Sequence, residues 1–201
     1  MVLIFILLTV FMVSCNSGNS EEADEDILQA TTVPSYAIVG ITESLGFILT
    51  PTYLPEDTEF SRYSIQEVPG LQYNPLITLV YNNNEQVITL MYRTEWPPEI
   101  WDAPEGLTIP EDAIKEISIN KQEAYVITGS WPYEMWQERS TTGSVNPETE
   151  WEYESLLSVR FAIDIPINGL TGVFLGVTPS ESNRIDGDQL IKIAESIEII
   201  E

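Results

Sequence analysis

Apolar and polar residues alternate most cleanly from Leu156 to Ile165, where Val159, Phe161 and Ile163 take turns with Arg160, Ala162 and Asp164. A period of two puts one set on a buried face and the other in water, which predicts a half-buried strand. Asn168-Gly169 follows, the strongest short reversal signal, and returns the chain into Val173, Leu175 and Val177 with Gly172 and Gly176 opposite. Leu76–Tyr81 and Gln86–Tyr92 are rich in β-branched and aromatic residues. They flank Asn82-Asn83-Asn84-Glu85, whose asparagines tolerate left-handed backbone. Glu116–Ile119 and Glu123–Thr128 flank another reversal at Asn120-Lys121-Gln122. With one more strand around Arg62–Glu67, the pattern predicts an antiparallel sheet of about six to seven strands.

Helical spacing marks the two ends of this region. Ile38, Ile41 and Leu45 predict a short helix over Ala37–Leu45, weakened by Gly40 and Gly46. Pro51 and Pro55 bracket Tyr53-Leu54 and predict an extended, turn-like path into the first strand. A closing helix is predicted over Asp186–Ile199, with Asp186 and Gln189 as a capping-box-like pair. Its apolar face, Leu190, Ile191, Ile193, Ala194 and Ile197, should lie on the sheet, with Lys192, Glu195 and Ser196 opposite. The fold class is therefore α+β, an antiparallel sheet of hairpins covered by a C-terminal α-helix. Two proline-bearing stretches, Thr94–Pro110 and Ser130–Glu152, break the pattern and read as irregular. They hold all five tryptophans, Trp96, Trp101, Trp131, Trp136 and Trp151.

The N-terminal pattern is of another kind. Val2–Val13 is an apolar run broken only by Thr9, the length of a signal-peptide core and too short for a permanent membrane span. Met12-Val13-Ser14 then leads into Cys15, the only cysteine. That is a lipobox arrangement, loose in having Met12 at its first position, and it predicts acylation of the Cys15 thiol with loss of residues 1–14. No Lys or Arg precedes the run, which leaves open a start upstream of Met1. Asn16–Thr32 is polar and acidic and reads as a tether over residues 15–33, reaching roughly 20–25 Å as a flexible coil. Residues 34–201 are then expected to form a single extracytoplasmic domain, at the outer face of a cell membrane.

Composition narrows the chemistry. The formal charge of −24 lies entirely outside the leader and disfavours nucleic acid, while a cationic, glycan or protein envelope partner fits it. No histidine is present, and Cys15 is assigned to lipid, so the usual general base, zinc ligand and thiol nucleophile are missing. Catalysis would have to run on carboxylates, on Lys115, Lys121 or Lys192, or on a bound metal. Glu134, Glu138, Glu150 and Glu152 are the carboxylates near aromatics that a glycosidase would need, yet chance pairs are expected in so acidic a chain. Asp186-Gly187-Asp188 is a fragment of a calcium loop without its acidic ladder, so capping accounts for it better, and neither metal nor cofactor is predicted. The tryptophans, with Glu99, Asp102, Glu134 or Glu138 nearby, are the candidate ligand-binding residues, stacking on sugars or caging a cation. The competing reading, that they anchor long loops to the core, is favoured because large aromatics normally supply burial.

Four segments resemble a bacterial family designated domain of unknown function four-three-six-seven. Phe47–Phe60, with Pro51 and Leu54-Pro55-Glu56, is similar to the family's "PxxLPEGY"-type opening segment. Ile114–Gly129 is similar to its "V-x-I-N-G-x-x-A-Y" hairpin, Asn168–Val177 to its "NG"-turn strand, and Leu190–Ile197 to its closing helix. Asp57 and Lys121 stand where the family has glycine. The resemblance implies an extracytoplasmic α+β domain and supplies no catalytic residue. The reading is a membrane-anchored lipoprotein with a binding or sensory domain and no enzymatic activity. Its alternatives are a carboxylate-based hydrolase of envelope glycans, and an acyl-chain carrier needing a continuous apolar groove between sheet and helix.

Overall fold

Hairpins dominate the architecture. The computed structural model describes residues 33–68, 71–82, 86–94, 107–166, 168–178 and 185–201. In chain order these form α1 (Ser35–Leu45), β1 (Ile48–Pro51), β2 (Glu59–Val68), β3 (Leu71–Asn82) and β4 (Val87–Thr94). A single 3-10 turn (Glu111–Ala113) precedes β5 (Ile114–Ile119), β6 (Gln122–Ser130), α2 (Tyr133–Thr142), β7 (Glu152–Ile165) and β8 (Gly169–Val177). The chain closes with α3 (Gly187–Glu195) and β9 (Ile197–Ile200). Seven strands make one antiparallel sheet in the order β2-β3-β4-β8-β7-β6-β5, and β1 pairs with β9 in a small second sheet. The predicted α+β class and the three hairpins are all present.

Alternation decides which side of the large sheet is covered. Ile77, Leu79 and Tyr81 of β3 share a face with Ile88, Leu90 and Tyr92 of β4, Val173, Leu175 and Val177 of β8, and Val159 and Phe161 of β7. All are essentially inaccessible to water. Onto them pack Ala37, Ile41 and Leu45 of α1 and Leu190, Ile193 and Ala194 of α3. The spacing predicted Ile41, Leu45 and the three α3 residues, whereas on α1 Ala37 is fully buried and Ile38 only half-buried. Complete burial of each such aliphatic side chain contributes roughly 1.5–3 kcal/mol, so this layer carries most of the stabilisation. Asp186 caps α3 as expected, its Oδ1 accepting from the Gln189 N–H at 2.8 Å.

Two expectations need correction. The closing helix stops at Glu195, not Ile199, and Ile197–Ile200 runs as a strand against β1 with Ile48 opposite Ile200 and Pro51 opposite Ile197. Ile197 follows Ile193 at helical spacing and is buried, so its face was legible. Its backbone was not, because a run of β-branched residues beside an unpaired strand gains a ladder that a helix end cannot offer. The junction is held through Ser196, whose carbonyl accepts from Thr52 N at 3.0 Å and whose Oγ accepts from Tyr53 N at 3.1 Å. The second correction concerns Ser130–Glu152, which contains a helix. Pro132 sits at its N-cap, where the missing N–H costs nothing, and Gly143 at φ 73° ends it in the left-handed conformation.

Candidate functional site

The two ends of α2 and its flanking strands bring together part of the predicted tryptophan set. Trp131 and Trp151 meet edge to face, with ring centroids 5.0 Å apart at 89°. This corner is built on an irregularity in the β6–β7 ladder, where pairing jumps from Thr128–Leu157 to Ser130–Glu152. Gly129 occupies the jump at φ 99°, leaving room for the Trp151 indole, whose Nε1–H donates to the Thr128 carbonyl at 3.0 Å. The Ser130 and Ser155 hydroxyls, 2.7 Å apart, hydrogen-bond across the same corner. Trp131 is only 7% exposed, so it presents almost no ring face to a ligand. Trp136 lies half-buried on α2 with the Arg139 guanidinium 5.5 Å from its ring. Trp96 and Trp101, with Glu99 and Asp102, lie outside the described residues, as do Cys15 and the tether to Thr32.

Glu134, Glu138, Glu150 and Glu152 are all exposed, on α2 and on the approach to β7. Among the described residues no three acidic, histidine or cysteine side chains are placed to hold a metal. Lys115, Lys121 and Lys192 are exposed as well. The buried titratable groups are tyrosines. Tyr92 Oη accepts from the Leu49 N–H at 3.2 Å, tying β1 to the large sheet, and burial pushes its phenol upward. Burial likewise pushes Tyr81 up to about 12. Tyr153 donates to Asp112 Oδ1 at 2.9 Å, and this hydrogen bond raises the pKa of an exposed phenol while linking β7 to the turn before β5. These groups hold the fold and remain protonated near neutrality.

A cavity of about 310 Å3 opens at the other end of the β5–β6 hairpin. The hairpin tip stays paired to itself at Ser118–Glu123 and Ile119–Gln122, but its pairing with β7 ends at Ala124–Phe161. The tip therefore peels away from β7, which continues to Ile165 paired only with β8 among the described residues. The gap is lined by Ile119, Asn120 and Gln122 from the hairpin, Phe161, Ala162 and Ile163 from β7, and Ile197, Glu198 and Ile199 from β9. Its floor is apolar, since Ile119, Phe161, Ala162 and Ile197 are buried, and its polar lining is two amides and one carboxylate. Such a composition, with a volume at the low end of the roughly 300–1,000 Å3 typical of ligand sites, suits recognition. Sequence reasoning missed it. No local signal marks where a hairpin leaves its neighbour or where a C-terminal strand will lie.

No family model matches the chain, and no curated protein matches it. Among the described residues no helix is long and apolar enough to cross a membrane.

Proposed function

We propose that the chain is a lipid-anchored extracytoplasmic lipoprotein whose folded domain binds or senses a partner at the outer face of a cell membrane, without catalysis of its own. The observation that carries this reading is the Met12-Val13-Ser14-Cys15 lipobox at the end of an apolar run, followed by the acidic stretch Asn16–Thr32. Recognition is favoured over chemistry because histidine is absent and the described carboxylates near the tryptophans are solvated. It is favoured over acyl-chain carriage because side chains fill the space between the sheet and α3, where Leu190, Ile193 and Ala194 are fully buried. A chain that binds acyl groups needs that space empty.

The resemblance to the domain-of-unknown-function family supports an extracytoplasmic setting. At both positions where that family has glycine, this chain runs left-handed, Asp57 at φ 59° and Lys121 at φ 71°. Metabolic labelling with a palmitate analogue tests the anchor. The wild type should incorporate label and Cys15→Ala should lose it; equal labelling of the two rejects the reading.

A further inference from the structure

A cavity that touches three successive residues of a strand faces the strand's edge, because consecutive side chains point to opposite faces. Here that holds twice, for Phe161-Ala162-Ile163 of β7 and for Ile197-Glu198-Ile199 of β9. Among the described residues, β7 has no partner on its β6 side beyond Phe161, and β9 has no partner strand but β1. Both walls therefore offer strand-edge backbone donors and acceptors to whatever enters. Natural sheets usually blunt such edges. β9 is short and carries Glu198, but Ile199 and Ile200 are each still 38% exposed beside it.

We propose that this cleft is a strand-addition site, which takes an extended segment of a partner protein with alternating apolar and basic residues. The main chain of that segment pairs with the open edge of β7 or β9, one apolar side chain enters the floor over Ile119 and Phe161, and a basic side chain meets Glu198. Basic character follows from Glu198, the one charged residue of the described lining, and from exposed Asp164 next along β7, two carboxylates against exposed Lys121 between Asn120 and Gln122. The formal charge of −24 adds a long-range attraction of the same sign. This inference rests on reading the domain as a binding module, but not on acylation of Cys15.

The test uses the full chain in non-ionic detergent and three capped pentapeptides: Lys-Val-Lys-Val-Lys, the same peptide with N-methylated valines, and Glu-Val-Glu-Val-Glu. Calorimetric titration should show the first binding at least about tenfold more tightly than either control, since methylation removes edge hydrogen bonds and glutamate reverses the charge. Amide exchange should slow at Ala162–Asp164 or Glu198–Ile200. Glu198→Lys, an exposed change that leaves the core intact, should weaken the lysine peptide and narrow its advantage over the glutamate peptide. Equal affinities for the three peptides, no binding, or protection confined to another part of the sheet overturns the proposal. Self-association through the same edge, detected by sedimentation without peptide, overturns it in favour of a second copy. Palmitate labelling reads Cys15 alone, so failure of either idea is distinguishable from failure of the other.

Discussion

Gly129 and Gly46 both run at positive φ, 99° and 87°, and differ in what surrounds them. Replacing either with alanine places a Cβ where L-residues are strained, at a cost of about 1–2 kcal/mol. At Gly46, the residue that ends α1, the new methyl meets nothing within 4 Å, so that backbone term is the whole effect. At Gly129 the methyl collides with the Trp151 indole nitrogen and lies 2.6 Å from the Glu152 carbonyl oxygen. The carbonyl belongs to the backbone and cannot swing aside, and moving the indole breaks its hydrogen bond to Thr128. Overpacking of this kind adds about 1–3 kcal/mol, so Gly129→Ala should lose roughly 2–5 kcal/mol against 1–2 for Gly46→Ala. Urea unfolding followed by tryptophan emission measures both, and Trp151 makes the first variant visible in the native baseline as well. If Gly129→Ala unfolds at the same urea concentration as Gly46→Ala or a higher one, the account of the tryptophan corner as a packed anchor is wrong.

Two other outcomes follow from the buried tyrosines. Tyr92→Phe leaves the Leu49 N–H buried without its acceptor and should cost about 1–3 kcal/mol, with faster amide exchange at Leu49 than elsewhere in β1; unchanged exchange there would refute the link between the two sheets. Alkaline stability should fall through Tyr81. Both states hold the phenolic proton below pH 10; above it the unfolded chain ionises while the folded chain keeps its proton up to about 12. The Tyr81 contribution is thus complete below pH 10 and is lost as pH rises from there to about 12, by roughly 3 kcal/mol at about 1.4 kcal/mol per tenfold, and Tyr92, raised by the same burial, adds to the decline. Denaturant midpoints across that window should fall, and Tyr81→Phe should make the decline shallower without abolishing it, since Tyr92 remains.

Periodicity and turn chemistry are local, and whatever depended on them was legible in the chain. Alternation in Leu156–Ile165, the Asn168-Gly169 reversal and the Asp186 cap each rest on a few neighbouring residues, so their strands, hairpin and helix start followed directly. The buried face of α1 was legible at Ile41 and Leu45, but packing in the assembled fold puts Ala37, not Ile38, in its third fully buried place. Ile197–Ile200 had two local solutions, and only the long-range partner Ile48–Pro51, far away in sequence, selected the strand. Trp131 and Trp151 were recognisable as aromatics in an irregular stretch, but their meeting over Gly129 required the β6–β7 register to be set first. The edge cleft was least legible of all. Ile119, Ile163 and Glu198 come from three separate strands and carry no shared motif. Their convergence arises because a twisted hairpin leaves β7 two rungs before its tip, and a backbone divergence of that kind is a property of the assembled sheet. At the N-terminus the reverse holds. The proposal made for the apolar run and Cys15 rests on their linear order alone and draws on no tertiary contact.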